Sequence, residues 1–451
     1  MKNLFTAFLL LLSSYAFSQD DTITDKQNSY ADKGWSAHFQ FTGVSQSHSS
    51  FKAKYSGVNS LYSCVERGLL TITSTAFIGR KLWRYASIYA NPEIAGGQGL
   101  SGARGIAGFT NGESFRVGDP QPSLYMARYY LQQHIALSHK RYDTIEDDAN
   151  QVKEIVPSSR ITITAGKFCL SDFFDDNDYS HDPRTQFLNW SIMSSGAWDY
   201  PANTRGYTLG LVVELKQPGY AVRASMVQVP KLVNGPWLNE KIGDVNGSVI
   251  EVEKDFSIGK KHGKLSLLGF RNMVNAPSYD ETVAELKQGD SSALGVFNGT
   301  KYGNQYHSVK YGISINGQLE LSDDVGVFFR AGYNDGKTAT WAYTEIDQSV
   351  HAGLQLKGSI WKRADDVVGI SGVVNGISKP HQDFLKAGGY GFIIGDGNLT
   401  YGSENIGEIY YNAKLFTHFY LSADYQFVSH PAYNIDRGPV SVFALRGHIE
   451  F

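Results

Sequence analysis

The chain contains long stretches in which apolar and polar residues alternate one by one. The clearest of them closes the sequence, where apolar Phe443, Leu445, Gly447, Ile449 and Phe451 alternate with Ala444, Arg446, His448 and Glu450. Successive side chains of a β-strand point to opposite faces, so this pattern predicts a strand with one apolar face and one largely polar face. A soluble sheet and a membrane barrel both contain such strands.

Four further stretches alternate in the same way, at residues 207–216, 310–322, 324–334 and 417–428. In the first, the alternation places Tyr207 on the apolar face together with Leu211. Runs of roughly nine to twelve residues match tilted membrane-spanning strands and exceed the five or six residues usual in globular sheets. Together with dense Asn-Gly and Asp-Gly turn signals, they predict an all-β fold: a transmembrane antiparallel up-and-down β-barrel of about 16 strands, 16–18.

The N-terminus has the pattern of a secretory signal peptide. Lys2 precedes an apolar stretch from Leu4 to Leu12, and Ala16-Phe17-Ser18 fits a processing site. A membrane anchor is the alternative, but the apolar stretch is shorter than the roughly 20 residues that a spanning helix needs. We therefore expect residues 1–18 to be a signal peptide and residues 19–451 to form a single barrel domain.

Composition agrees with an exported β-rich protein. Aromatic residues make up 13% of the chain, with 27 Tyr and 25 Phe, and glycine contributes 47 residues. The formal net charge of −3 does not suggest a nucleic-acid-binding surface. Cys64 and Cys169 are the two cysteines, and the sequence leaves open whether they pair.

Four ordered blocks resemble the carbohydrate-selective porin family of Gram-negative outer membranes, the OprB type. They begin with YANPEIAGGQG, GKFCLSDFFDD, NGISKPHQDFL and DYQFVSHPAYN and cover residues 89–118, 166–210, 375–411 and 424–451. The resemblance implies a 16-stranded outer-membrane barrel that passes carbohydrates by diffusion through a narrowed, polar channel. It also implies contact with outer-membrane lipid and a possible homotrimer. Residues 142–158 and 277–306 match no block of the family.

The stretch 169–203 is too rich in loop-like residues for one strand, and it concentrates charged and aromatic side chains. Sugars are bound by flat aromatic faces and by fixed hydrogen-bonding groups. We therefore expect this segment to fold inward as a constriction loop, the alternative being an external loop whose tryptophans mark the lipid-water rim. The predicted substrate-binding residues here and just beyond are Arg184, Trp190, Trp198, Asp199 and Arg205. Arg128 is added from the resemblance, because it matches an arginine of the family's block near its narrowest point, and alternation places it with Met126 and Tyr130.

The alternation also predicts which polar residues face the channel. Arg330 and Arg446 lie between apolar neighbours of the opposite face, and a charge on the lipid side near the midplane costs about 2–4 kcal/mol. We therefore predict a channel-lining set of Arg330, Asp424, Arg446, His448 and Glu450.

Acidic residues cluster in DFFDDNDYSHD, namely Asp172, Asp175, Asp176, Asp178 and Asp182. Such a cluster raises the question of a Ca²⁺ site, but the glycine and terminal glutamate of an EF-hand loop are missing. A solvated acidic loop that pairs with Arg184 is the favoured interpretation, and we expect no metal and no cofactor.

The function predicted from these observations is passive, selective diffusion of carbohydrates across the outer membrane. One alternative is a general porin for small hydrophilic solutes. The other is a barrel whose outer loops carry an enzyme or adhesin, but the sequence shows no recognisable nucleophile, base and orienting group. We therefore expect no enzymatic activity.

Overall fold

The chain forms a closed antiparallel β-barrel of sixteen strands in a computed structural model, which describes residues 34–113, 121–303 and 307–451. Each strand pairs with its neighbours in sequence, and β1 closes the barrel by pairing with β16. The predicted barrel is thereby confirmed, with the lower of the predicted strand counts. The predicted signal peptide, residues 1–18, lies outside the described residues.

The strands are β1 (Trp35–His48), β2 (Glu66–Trp83), β3 (Ala86–Gly97), β4 (Ser123–Ile145), β5 (Glu154–Phe168), β6 (Thr208–Gln217), β7 (Tyr220–Val227), β8 (Asn246–Ile258), β9 (Lys261–Val274), β10 (Ser308–Ser322), β11 (Val325–Asn334), β12 (Gln348–Lys357), β13 (Val367–Gly376), β14 (Glu404–Phe416), β15 (Phe419–Ser429) and β16 (Val440–Glu450). The α-helices are α1 (Trp190–Met193), α2 (Tyr279–Lys287), α3 (Leu294–Phe297) and α4 (Lys379–Lys386). Among the described residues, no helix has both the length and the apolar character needed to cross a membrane.

The alternation read from the sequence decides which face of each strand points outward. In β16, Phe443 and Leu445 are 52% and 53% exposed, whereas Arg446 and His448 are 0% and 1% exposed. Asn316 of β10, the first residue of an Asn-Gly pair, also lies within a strand and is buried. Apolar side chains therefore cover the outside of the barrel, and polar side chains point inward.

The two rims of the barrel differ in the length of their connections. Turns of two residues follow β2, β6, β8, β10 and β14 at what we call the short-turn rim. Gly219 and Gly259 have φ of 84° and 63° in two of these turns, a conformation that tight hairpins require and glycine adopts at little cost. Much longer connections follow β1, β3, β5, β7, β9, β11, β13 and β15 at the long-loop rim.

The strict alternation fails at two positions beside the candidate site. Asn91 pairs with Arg128 but Pro92 pairs with Met126, so Ala127 is a β-bulge. The extra residue turns Arg128 inward and leaves Met126 40% exposed on the outside, which corrects their predicted common face. Tyr207 precedes β6, and its ring is buried inside rather than on the apolar outer face.

Candidate functional site: the channel constriction

The connection between β5 and β6, residues 169–207, folds into the lumen and is called the constriction segment below. Arg446 of β16 donates to the carbonyls of Pro183 and Gln186, at 2.5 and 2.7 Å. On another side of the barrel, Arg330 of β11 donates to the carbonyls of Asp175 and Ser180, at 2.9 and 2.8 Å. The segment therefore crosses the interior between distant strands and is not an external loop, while its role as the narrowest point of the channel stays a prediction.

Carboxylates of the barrel wall bind backbone amides of the inward-folded connections. Glu408 accepts from the amides of Leu188 and Asn189, at 2.6 and 3.1 Å. Glu404 accepts from the amides of Ala107 and Gly108, at 2.9 and 2.7 Å. These bonds satisfy buried amides that have no strand partner, so the wall fixes the course of both connections.

The predicted channel-lining residues face inward, but the structure corrects their surroundings. Arg330, Asp424, Arg446 and His448 are at most 5% exposed, because the inward-folded connections cover them. Only the side chain of Glu450, at the short-turn rim, is substantially exposed, at 40%. Four of the five residues are therefore covered by other protein groups and do not line a water-filled channel.

A cavity beside the constriction segment brings together four charged side chains, and we call it the eyelet. They are Glu93, Glu113, Arg184 and Arg205. The guanidinium of Arg184 places Nε 3.3 Å from Glu113 Oε1 and Nη2 3.9 Å from Glu93 Oε2. Burial alone would lower the pKa of Arg184, but Glu113, Asp182 and Glu93 outweigh it and raise the pKa, so Arg184 stays cationic.

Tyrosine rings complete the eyelet. Arg205 lies over the ring of Tyr125, 4.0 Å from the ring centroid, and donates to Ser123 Oγ at 2.6 Å. Tyr207 donates its hydroxyl to Glu93 at 3.1 Å, and Tyr125 donates to the same carboxylate. Glu93 and Glu113 are functional candidates that the sequence reasoning missed. Glu93 alternates with Asn91 and Tyr89 on the inner side of β3, so a period-two reading of that strand would have shown it.

Arg128 holds the start of the constriction segment in place. Its Nε and Nη2 donate to the two carboxylate oxygens of Asp172, both at 2.7 Å. The guanidinium also lies 5.1 Å from the centroid of the Tyr207 ring. Bidentate pairs of this kind fix orientation as well as distance, so Arg128 acts on the eyelet through Asp172 and Tyr207.

The three remaining predicted residues differ in their access to the cavity. Trp190 in α1 lines it, donates to the carbonyl of Asn111 at 2.7 Å, and stacks on Tyr343. Trp198 is 0% exposed, so it offers no ring face to a solute. Asp199 is also buried and accepts from three consecutive amides, those of Trp341, Ala342 and Tyr343, each at 2.9 Å. The structure therefore corrects the predicted sugar contacts of Trp198 and Asp199.

Members of the acidic cluster bind three different basic residues, and Asp176 and Asp178 share one of them, Lys264. Asp175 binds Arg330 at 2.9 Å, and Asp176 binds Lys264 at 3.0 Å. Within residues 34–113, 121–303 and 307–451, no group of three or more His, Cys, Asp or Glu side chains is arranged to hold a metal ion. Cys64 is exposed, Cys169 is buried, and both are free thiols.

Comparisons with known proteins found a matching family model and solved structures of similar fold. A family model described as carbohydrate-selective porin, OprB family, matches residues 79–451. The high-pH structure of Pseudomonas putida OprB is similar with a TM-score of 0.70 and 14% sequence identity, over 94% of this chain and 96% of that chain. The outer membrane channel DcaP of Acinetobacter baumannii gives a TM-score of 0.47 and 9% identity, over 93% and 98%. The search of curated proteins found no match.

Proposed function

The chain belongs to the carbohydrate-selective porin, OprB family, and from this premise we propose that neutral carbohydrates diffuse passively through its barrel by way of the eyelet. The observation that carries this function is the composition of the eyelet, where Arg184 lies against Glu93 and Glu113 and Arg205 lies over the ring of Tyr125. Transport needs no covalent step and no energy source, because the solute moves down its own gradient.

The eyelet supplies both kinds of contact that a sugar needs. Tyrosine faces contact the C–H groups of a pyranose, and the charged groups donate to and accept from its hydroxyls. Hydrogen bonds to charged groups are stronger than those between neutral groups. The hydroxyls of a sugar ring therefore replace the hydrogen bonds they lose to water with bonds of comparable strength to the eyelet. Because two guanidinium groups and two carboxylates line the same cavity, the cavity favours neither anions nor cations strongly. This balance suits a neutral, hydroxyl-rich solute.

Membership of this family also supports a location in the outer membrane of a Gram-negative bacterium, with the long-loop rim outside and the short-turn rim in the periplasm. Removal of residues 1–18 as a signal peptide, contact with outer-membrane lipid and assembly as a homotrimer complete the proposed arrangement. Native mass measurement of the detergent-extracted protein tests the trimer, and N-terminal sequencing of the mature protein tests the cleavage site.

Single-channel recording in planar lipid bilayers tests the proposed function. A panel of neutral mono- and oligosaccharides is added while the ionic current is measured. We expect steady open-channel currents that one class of sugar interrupts in a concentration-dependent way. Currents that no sugar interrupts would favour a general porin for small hydrophilic solutes, and no current at all would contradict a channel function.

A further inference from the structure

The hairpin that joins β4 to β5 folds back into the lumen at the short-turn rim, opposite the constriction segment. We call residues 146–153 the inner hairpin. Its carbonyl at Asp148 accepts from Ser36 Oγ at 3.3 Å, and Asp147 Oδ1 lies 3.4 Å from His38 Nε2. Ser36 and His38 belong to the inward-facing set of β1, so the tip of the hairpin lies inside the barrel mouth.

Packing against β2 and β3 holds the inner hairpin there. Val152 is 3% exposed, and its amide donates to Tyr89 Oη at 3.3 Å. A Cβ added at Gly79 would come within 2.8 Å of Val152 Cγ2, so Gly79 leaves the space that the valine occupies. At the base, Glu154 pairs with Lys81 at 2.5 Å and accepts from the amide of Tyr85 at 3.1 Å.

Irregular pairing allows the hairpin to bend inward. Ser138 pairs with Ser159, but the next pair joins Tyr142 to Pro157, so β4 contains more residues than β5 between these two points. Bulges of this kind bend the strand that carries the extra residues. The bend directs the hairpin across the barrel mouth toward β1, β2 and β3.

A second cavity lies between the inner hairpin and the constriction segment, and we call it the exit chamber. Its wall contains Tyr89, Tyr130, Gln132, His134, Gln151 and Thr162. The rings of Tyr89 and Tyr130 lie 4.9 Å apart. Amide, imidazole and hydroxyl groups thus surround an aromatic pair, as in sites that bind neutral, hydroxyl-rich molecules.

The charged side chains of the chamber wall are each paired with an opposite charge. Glu154 pairs with Lys81, Asp172 with Arg128, Glu214 with Arg223, and Arg160 with Asp143. Because these charges are already neutralised by protein partners, the chamber suits a neutral ligand better than an anion or a cation.

We propose that the exit chamber is a second carbohydrate-binding site, in series with the eyelet and closer to the short-turn rim. This inference rests on the proposed function for the identity of the ligand, a neutral sugar. A solute that leaves the eyelet enters the exit chamber and exchanges hydroxyl contacts with Gln132, Gln151 and the tyrosine pair before it passes the inner hairpin. Two sites in series give a channel two distinct bound states.

Sugar-induced current interruptions distinguish one site from two. Gln132→Ala alters the exit chamber, and Gln355→Ala is its matched control, because Gln355 is also an inward, half-buried glutamine but lies on β12 outside both cavities. Arg205→Gln alters the eyelet. We expect the durations of the current interruptions to have two components in the wild type. Gln132→Ala should lose one component and Arg205→Gln the other, whereas Gln355→Ala should keep both.

In a second variant, Asn-Gly replaces residues 146–153. This change removes the inner hairpin and leaves Gln132 of β4 in the chamber wall. We expect this variant to lose the same component as Gln132→Ala and to conduct more than the wild type. If the interruptions have a single component and only Arg205→Gln removes it, the second site is overturned and the proposed function stands. If no sugar interrupts the current, the second site and the proposed function are both overturned. If two components persist unchanged in Gln132→Ala and in the hairpin variant, the exit chamber is not a binding site.

Discussion

Arg330 of β11 and Asp175 of the constriction segment form an ion pair, with Arg330 Nε 2.9 Å from Asp175 Oδ1. The two side chains are 1% and 2% exposed, and the same guanidinium donates to three backbone carbonyls of the segment, those of Asp175, Ser180 and Ile192. A charged group of the wall and a charged group of the loop thus neutralise each other inside the barrel. This contact is one of those that convert a long connection into a fixed part of the channel.

Loss of one partner of this pair should destabilise the protein strongly. Arg330→Met leaves the Asp175 carboxylate buried beside an apolar side chain, and we expect the free energy of unfolding to fall by about 3–5 kcal/mol. Reversible urea unfolding of the barrel in lipid vesicles measures the change. Lys379→Met in the exposed pair with Asp383 is the control, and we expect it to cost less than about 1 kcal/mol. Equal effects of the two substitutions would contradict the anchoring role.

Removal of the Arg205 charge should weaken sugar binding at the eyelet. Arg205→Gln keeps a polar side chain but removes a charged donor that lies over Tyr125. A hydrogen bond to a charged group contributes about 1.5–3 kcal/mol, so we expect the dissociation constant for sugar block to rise by about tenfold or more. Arg271→Gln, on the outward face of β9, should leave block unchanged. Equal block in the wild type and in Arg205→Gln would show that sugars do not use this group.

Neutralisation of Glu113 should shift the ion selectivity of the channel. The carboxylate faces Arg184 in the eyelet, and charged groups at a constriction determine which ions pass. Glu113→Gln leaves the arginines in excess, so the ratio of anion to cation permeability should increase. The reversal potential under a salt gradient measures this ratio, and Asp383→Asn, at a partly exposed side chain of α4, is the control. A reversal potential that does not move would place Glu113 away from the ion path.

Acid should remove the stabilising contribution of a buried carboxylate at the long-loop rim. Burial alone would raise the pKa of Asp347, but His381, at 3.0 Å, and the Ser378 amide, at 2.9 Å, outweigh it and hold the pKa below the ordinary value. Because the pKa of Asp347 is lower in the folded than in the unfolded protein, its carboxylate stabilises the fold at pH values above the unfolded-state pKa of about 3.9. This stabilisation is lost as the pH falls through the folded-state pKa.

Thermal unfolding of Asp347→Asn from pH 7 down to pH 2 tests this dependence. The Tm difference from the wild type should be largest near neutral pH and should shrink as the pH falls below about 4. Asp383→Asn, in the exposed pair with Lys379, should change Tm little at any pH because exposed pairs contribute little. A difference for Asp347→Asn that stays constant across the range would contradict the lowered pKa.

Local patterns in the sequence were enough to predict the barrel. The period of two in β16 placed Phe443 outside and Arg446 inside, because the outer surface and the interior of the barrel select opposite side chains along one strand. The same rule failed where backbone geometry interrupted it. The bulge at Ala127 shifted Met126 outward relative to Arg128, and no composition signal marks a bulge.

The candidate site was predicted only in part, because its geometry depends on contacts between distant residues. The wealth of charged and aromatic residues located the constriction segment, but it did not show that Trp198 packs beneath the surface while Trp190 reaches the cavity. Glu93 and Glu113 lie far from the segment in sequence and meet Arg184 only in the closed barrel. The inner hairpin was also missed, since its polar sequence resembles that of an ordinary exposed turn.

Solute-driven swelling of proteoliposomes tests the central claim most directly. Purified protein is incorporated into vesicles, and swelling rates are compared for a neutral hexose and for a neutral polar solute of similar mass that lacks ring hydroxyls. We predict faster entry of the hexose, and a smaller difference between the two solutes in Arg205→Gln. Equal entry of the two solutes in the wild type would contradict a carbohydrate-selective channel.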